Sequence, residues 1–154
     1  SLASESYSTV NTPTQFASVQ AYAHEHEKYK LKVRAILKNV GNYVYNNLKS
    51  NKILINPPQG GFYLMPEFLN SKFKTSSEMC EDVLIKSGVA LLPGSDFGFK
   101  PNKMLARLSF TDFDGDMFLK NIDTGKKLDD DLIKKYAPNV VEGTKKLAEW
   151  HKSL

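Results

Sequence analysis

Short apolar runs cut by proline and glycine, set between stretches of helical periodicity, constrain this chain more than any other feature of its sequence. Ile53-Leu-Ile55 stops at Asn56-Pro-Pro-Gln59, and Gly61 to Met65 is a second run in which Phe62 and Leu64 alternate with Tyr63 and Met65. Val89 to Leu92 halts at Pro93-Gly94, and Met104 to Phe110 is a fourth run. Lengths like these predict strands, the first two joined by a proline-rich turn. Thr12 can cap a helix with Pro13 in its first turn, and Phe16, Val19 and Ala23, then Leu31 and Ala35, then Tyr45 and Leu48, recur at helical spacing. His24-Glu-His-Glu27 permits a bend and Gly41 is a second weak point, yet Asn42 to Leu48 still reads as helix. Ser76 or Ser77 can cap a helix running to about Lys86 and ended by Gly88, where a left-handed residue is wanted. Leu128 to Trp150 supply helices interrupted near Pro138. The order of elements predicts an α+β layer, with helices covering one face of a small mixed or antiparallel sheet. A long helical arm, residues 1–50, leads into a domain at 51–154.

A chain of 154 residues, 41% hydrophobic and 25% charged, suits one core and can bury about 70% of its unfolded surface. No apolar run approaches the roughly 18 residues that a membrane-spanning helix requires, and Ser1-Leu-Ala-Ser-Glu-Ser6 has neither a basic nor an apolar leader region. A single cysteine, Cys80, excludes an internal disulfide and fits a reducing compartment, the cytoplasm first, with an organelle also compatible. Net charge is +4, but the lysines are spread in ones and twos from Lys28 to Lys152, without a zinc-finger spacing or a basic helix face. That distribution describes a solvated surface and argues against a nucleic-acid partner.

Only Arg34 and Arg107 are arginine among 21 basic residues, and Arg107 stands inside an apolar run. A planar fork at that position points to a bidentate carboxylate partner. A structural ion pair with Asp112 or Asp114 is the competing explanation. Before Arg107 come Asn11-Thr-Pro-Thr-Gln-Phe-Ala17, Pro57-Pro-Gln-Gly-Gly-Phe-Tyr-Leu64 and Leu91-Leu-Pro-Gly-Ser-Asp-Phe-Gly98. A Pro-x-Gln-x-Ala helix start, a Gly-Gly-Phe-Tyr strand, a Pro-Gly-x-x-Phe-Gly turn and an Arg-Leu-Ser strand, in this order, resemble the C-terminal, small domain of a fold-type I, class I and II aminotransferase. The resemblance runs from about Thr9 onward, and the last stretch matches only as a helical tail.

The resemblance implies a parent enzyme that uses pyridoxal 5'-phosphate to move an amino group between an amino acid and a 2-oxo acid, usually as a homodimer. In the family the Schiff-base lysine, the aspartate on the pyridine nitrogen and most phosphate ligands precede the Pro-x-Gln segment. The chain is therefore expected to be a fragment, inactive and without cofactor when alone. Arg107 would clamp the substrate α-carboxylate, with Gly61 at a close backbone approach or a plain turn, and Phe97 as a pocket wall or ordinary core. Another fold-type I reaction, a lyase or synthase, shares the same small domain. A non-catalytic interaction module is the more distant alternative, and a severed domain should expose the apolar residues around Phe16 and Val19.

Other constellations read as bland. Histidines two apart on a helix point about 200° apart and cannot share a tetrahedral ion, which disposes of His24 and His26. Asp112, Asp114, Asp116 and Asp123 mimic a calcium loop, but Met117 replaces its turn glycine, leaving a turn that ends the arginine strand. Ser71-Lys72 imitates a cofactor-lysine pair on the wrong side of the Gly-Gly-Phe-Tyr strand, and Cys80 fits the buried face of a helix.

Overall fold

The computed structural model describes residues 9–23, 26–69, 71–122 and 129–154. It divides into two compact units, Ser1–Lys30 and Leu31–Leu154. The first unit contains α1 (Thr12–Ala23), which buries none of its residues. Asn11, rather than Thr12, caps it: the Thr14 N–H donates to Asn11 Oδ1 at 3.0 Å, and Thr12 and Pro13 form the first turn. Of the bend that His24-Glu-His-Glu27 permits, His24 and Glu25 lie outside the described residues, and Glu27 already opens the next helix.

Helix α2 (Glu27–Leu48) continues through Gly41 and sets Ile36, Val40, Val44 and Leu48 into the core of the second unit. Four-residue spacing keeps these side chains on one stripe. Gly41 is a close-approach site and not a break, because a Cβ there would lie 2.9 Å from Phe110 Cζ. Among the described residues five short strands follow: β1 (Ile53–Leu54), β2 (Tyr63–Leu64), β3 (Glu67–Phe68), β4 (Leu92–Pro93) and β5 (Ala106–Ser109).

All strand pairs are antiparallel, β1 with β3 and, in a second sheet, β2-β5-β4. The first two runs therefore do not pair with each other. Pro57 and Pro58 lack N–H groups, and Glu67–Phe68, a strand absent from the sequence pattern, takes the place beside β1. The fourth strand is shorter and later than Val89 to Leu92. Its Pro93 is tolerated because β4 is an edge strand.

Helix α3 (Ser76–Ser87) buries Met79, Cys80 and Val83 and ends at Gly88, whose φ of 71° is left-handed as expected. Its cap is Thr75, whose hydroxyl accepts the Glu78 N–H, so Ser76 is free to be buried. Where the sequence predicted only a turn after the arginine strand, Asp114 accepts N–H bonds from Asp116 and Met117 and starts α4 (Gly115–Asn121), anchored by fully buried Phe118. Helices α5 (Asp130–Tyr136) and α6 (Pro138–Lys152) meet at Ala137, as the proline predicted. Trp150 of α6 packs edge-on to Phe68 of β3 and donates its indole N–H to Asp82 of α3 at 2.8 Å. The outcome is the α+β class with its sheets in the antiparallel form.

Candidate functional site

Strand β5 alternates between two environments. Ala106 and Leu108 are buried in the core, whereas Arg107 and Ser109 project to the other face. A one-residue slip would bury the arginine, so the apolar pair on either side of it fixes where it points. Register then chooses its company. Leu92 of β4 stands opposite Arg107, and Tyr63 of β2 stands opposite Ser109, on the same face.

The Arg107 guanidinium carbon lies over two aromatic rings, 4.3 Å from the Tyr63 centroid and 4.5 Å from that of Phe97. Phe97 closes a 3-10 turn, Gly94–Phe97, that follows β4. Each cation–π contact is worth about 0.5–2 kcal/mol, depending on desolvation. Among the described residues no carboxylate forms an ion pair with Arg107. Asp112 accepts from Asn139 Nδ2 at 3.3 Å, and Asp114 is occupied in capping α4, so the structural ion pair with either acid is not formed. Tyr63 and Phe97, the two rings at Arg107, and Leu92, opposite it in register, are all exposed, so apolar surface adjoins the cation. Chemically, it can grip a planar anion.

Arg107 and Phe97 are thus brought together, and Tyr63 joins them without having been singled out. Its signal was the period-two alternation that sets Tyr63 opposite buried Leu64. Gly61 instead lines a groove of about 480 Å³ with Arg34, Lys38, Pro58, Gln59 and Gly60, between α2 and the proline turn. A Cβ on Gly61 would meet nothing within 4 Å; its φ of 65° is what calls for glycine. Gly94 shows the reverse. Its φ is not positive, and a Cβ there would press on the Leu105 carbonyl oxygen at 2.9 Å.

The groups whose protonation the fold shifts lie elsewhere. Burial, with the charge of Asp96 second, pushes the Cys80 thiol up to about 11, which fits a core thiol. Hydrogen bonds from Lys86 and then Trp150 lower the Asp82 carboxyl. Burial lowers His151, more than its hydrogen bond to the Leu69 carbonyl raises it. Among the described residues no group of three His, Cys, Asp or Glu side chains could hold a metal ion. Nor is any described helix long and apolar enough to cross a membrane.

Residues 1–122 match the family model for aminotransferase class I and II. A curated relative, an aspartate aminotransferase from Bacillus sp. (strain YM-2), is 30% identical over 102 residues, covering 63% of this chain and 26% of the relative. Two solved structures share the fold. An alanine aminotransferase from Pyrococcus furiosus has a TM-score of 0.66 at 23% identity, over 94% of this chain and 30% of its own. An aspartate aminotransferase from Thermotoga maritima has a TM-score of 0.62 at 24% identity, over 97% and 31%.

Proposed function

The chain belongs to the class I and II aminotransferases, and from that premise we propose that it is the small-domain part of a larger pyridoxal-phosphate enzyme in which Arg107 holds the substrate α-carboxylate. The single observation that carries the assignment is Arg107 itself, fixed on an outward strand face between two rings and without an ion-pair partner among the described acids. Because this chain spans about a quarter of its curated relative's length, the transfer of the amino group is a property of the whole enzyme. The exposed apolar side chains of α1, Phe16 and Val19, support a segment that meets further protein. An aspartate aminotransferase as the 30% identical relative favours a dicarboxylic amino acid and a 2-oxo acid as the substrate pair.

The residues present do not by themselves fit the cofactor. Buried polar and charged side chains among the described residues are Ser76, Thr144 and His151, with no lysine. Lys72 is exposed, its ammonium 5.7 Å from the Phe73 ring centroid. The covalent lysine and phosphate seat are assigned to the remainder of the enzyme, and this chain's part is to bind and orient. Two parallel N–H···O bonds from one guanidinium fix both the position and the plane of a carboxylate, whereas one ammonium fixes only position. A substrate so held presents its α-carbon in one orientation, which converts binding into rate.

Arg107→Lys in the full-length enzyme tests the assignment, since it keeps the charge and removes the fork. Losing about 2–4 kcal/mol of transition-state stabilisation lowers kcat/KM for amino acids roughly 30- to 1,000-fold, with cofactor content unchanged. An unchanged kcat/KM would remove Arg107 from the substrate site.

A further inference from the structure

We propose that Tyr63 and Phe97 are positioning residues, an aromatic clip that holds the Arg107 guanidinium from two flanks and leaves its N–H edge open to a carboxylate; the proposal rests on the reading of Arg107 as the clamp. Strand β5 lies between β2 and β4, so a side chain rising from it has one neighbouring strand on each side. Tyr63 comes from β2, and Phe97 from the turn that follows β4. Their centroids lie 4.3 and 4.5 Å from the same guanidinium carbon.

Both arms of the clip are fixed by backbone. Tyr63 is in register with Ser109, two residues beyond Arg107 on the same face. The Phe97 turn is bound to the strand entrance by Gly94, whose N–H donates to the Leu105 carbonyl at 2.7 Å, in a space that a Cβ would fill. It is closed by Gly98, at a left-handed φ of 82°, whose N–H donates back to Ser95 at 3.2 Å. Two glycines thus set where the Phe97 ring stands.

Rings orient a guanidinium without neutralising it. An aspartate in the same place would use the donors that an incoming carboxylate needs, and would have to be displaced. Quadrupolar faces use none of the N–H groups while restricting the long side chain's rotamers, so less freedom remains to be lost on binding. Phe97 on this account touches Arg107 and acts through it.

The chain has two arginines, Arg34 and Arg107, so its side-chain Nε–H correlation spectrum contains two signals. Arg107 is expected upfield, moved by the ring currents, and Arg34 at the position of an exposed arginine. Tyr63→Leu and Phe97→Leu each move the Arg107 signal toward that of Arg34, and Tyr63→Phe leaves it in place. Tyr63 and Phe97 are 42% and 39% exposed, so these variants keep the core. In the full-length enzyme each leucine variant lowers kcat/KM about 2- to 30-fold, whereas Tyr63→Phe stays within about 2-fold of the parent. Coincident signals in the unchanged chain, or an Arg107 signal unmoved in both leucine variants, would overturn the clip. An upfield Arg107 signal in an enzyme indifferent to Arg107→Lys would overturn the clamp beneath it and retain the ring geometry alone.

Discussion

Gly41→Ala and Gly143→Ala are the same substitution in two helices of this chain, and the structure gives them opposite signs. In α2, a Cβ on Gly41 would lie 2.9 Å from Phe110 Cζ, 3.3 Å from Phe110 Cε2 and 3.2 Å from Pro58 Cγ. Carbon atoms pack at about 3.5–4.0 Å, so the ring must retreat by about 0.6 Å or more. Phe110 is only 1% exposed and has no open side to move into. Overpacking of that kind costs about 1–3 kcal/mol, against a helix-propensity gain of about 1 kcal/mol, leaving Gly41→Ala destabilised by about 1 kcal/mol. In α6, a Cβ on Gly143 finds Val89 Cγ2 at 3.9 Å, an ordinary contact, so the same methyl stabilises by about 0.5–1 kcal/mol. At this chain length the gap of roughly 2 kcal/mol separates the two Tm values by about 4–8 °C. Thermal and urea unfolding followed by circular dichroism read both quantities. A Gly41→Ala chain as stable as Gly143→Ala would refute the close packing of α2 on Phe110.

His151 is buried with a lowered pKa, so the unfolded chain binds its proton more readily. Its contribution to stability is therefore complete above the ordinary histidine pKa and is lost as pH falls through the lower folded value. His151→Gln should flatten that part of the urea-midpoint profile, and an unaltered profile would show that another group is responsible. Cys80, pushed up to about 11, should resist a thiol reagent at neutral pH until the chain is unfolded. Rapid stoichiometric labelling of the native chain would contradict its burial. Incubation with pyridoxal phosphate and borohydride should give no stoichiometric single-site pyridoxyl-lysine by peptide mapping. One specifically labelled lysine, Lys72 above all, would overturn the assignment of the cofactor's seat to the rest of the enzyme.

The α+β class, the glycine stop after α3 and the break at Pro138 were legible because each depends on local chemistry: a periodic apolar face, a left-handed residue, a missing N–H. Strand partnership was not. Two-residue strands such as Glu67–Phe68 carry no periodicity of their own and exist because β1 and the segment before β5 offer them donors and acceptors. Helix α4 was hidden because Asp112, Asp114 and Asp116 imitate a loop, whereas Asp114 caps a helix that the burial of Phe118 anchors. Arg107 could be singled out by its rarity and its apolar neighbours. Phe97 was a candidate, but its contact with Arg107 depends on β5 lying between β2 and β4, a non-local fact. Spacing alone could not separate the roles of Gly61 and Gly94, of which the first is needed for its φ and the second for space.

A crystal structure of the full-length enzyme with a dicarboxylic amino acid or its 2-oxo acid bound tests the central claim most directly. The account predicts both oxygens of the α-carboxylate at about 2.7–2.9 Å from two Arg107 guanidinium nitrogens, with the rings of Tyr63 and Phe97 still flanking the fork. A carboxylate held by another cation, with Arg107 turned to a protein acid or to solvent, would contradict it.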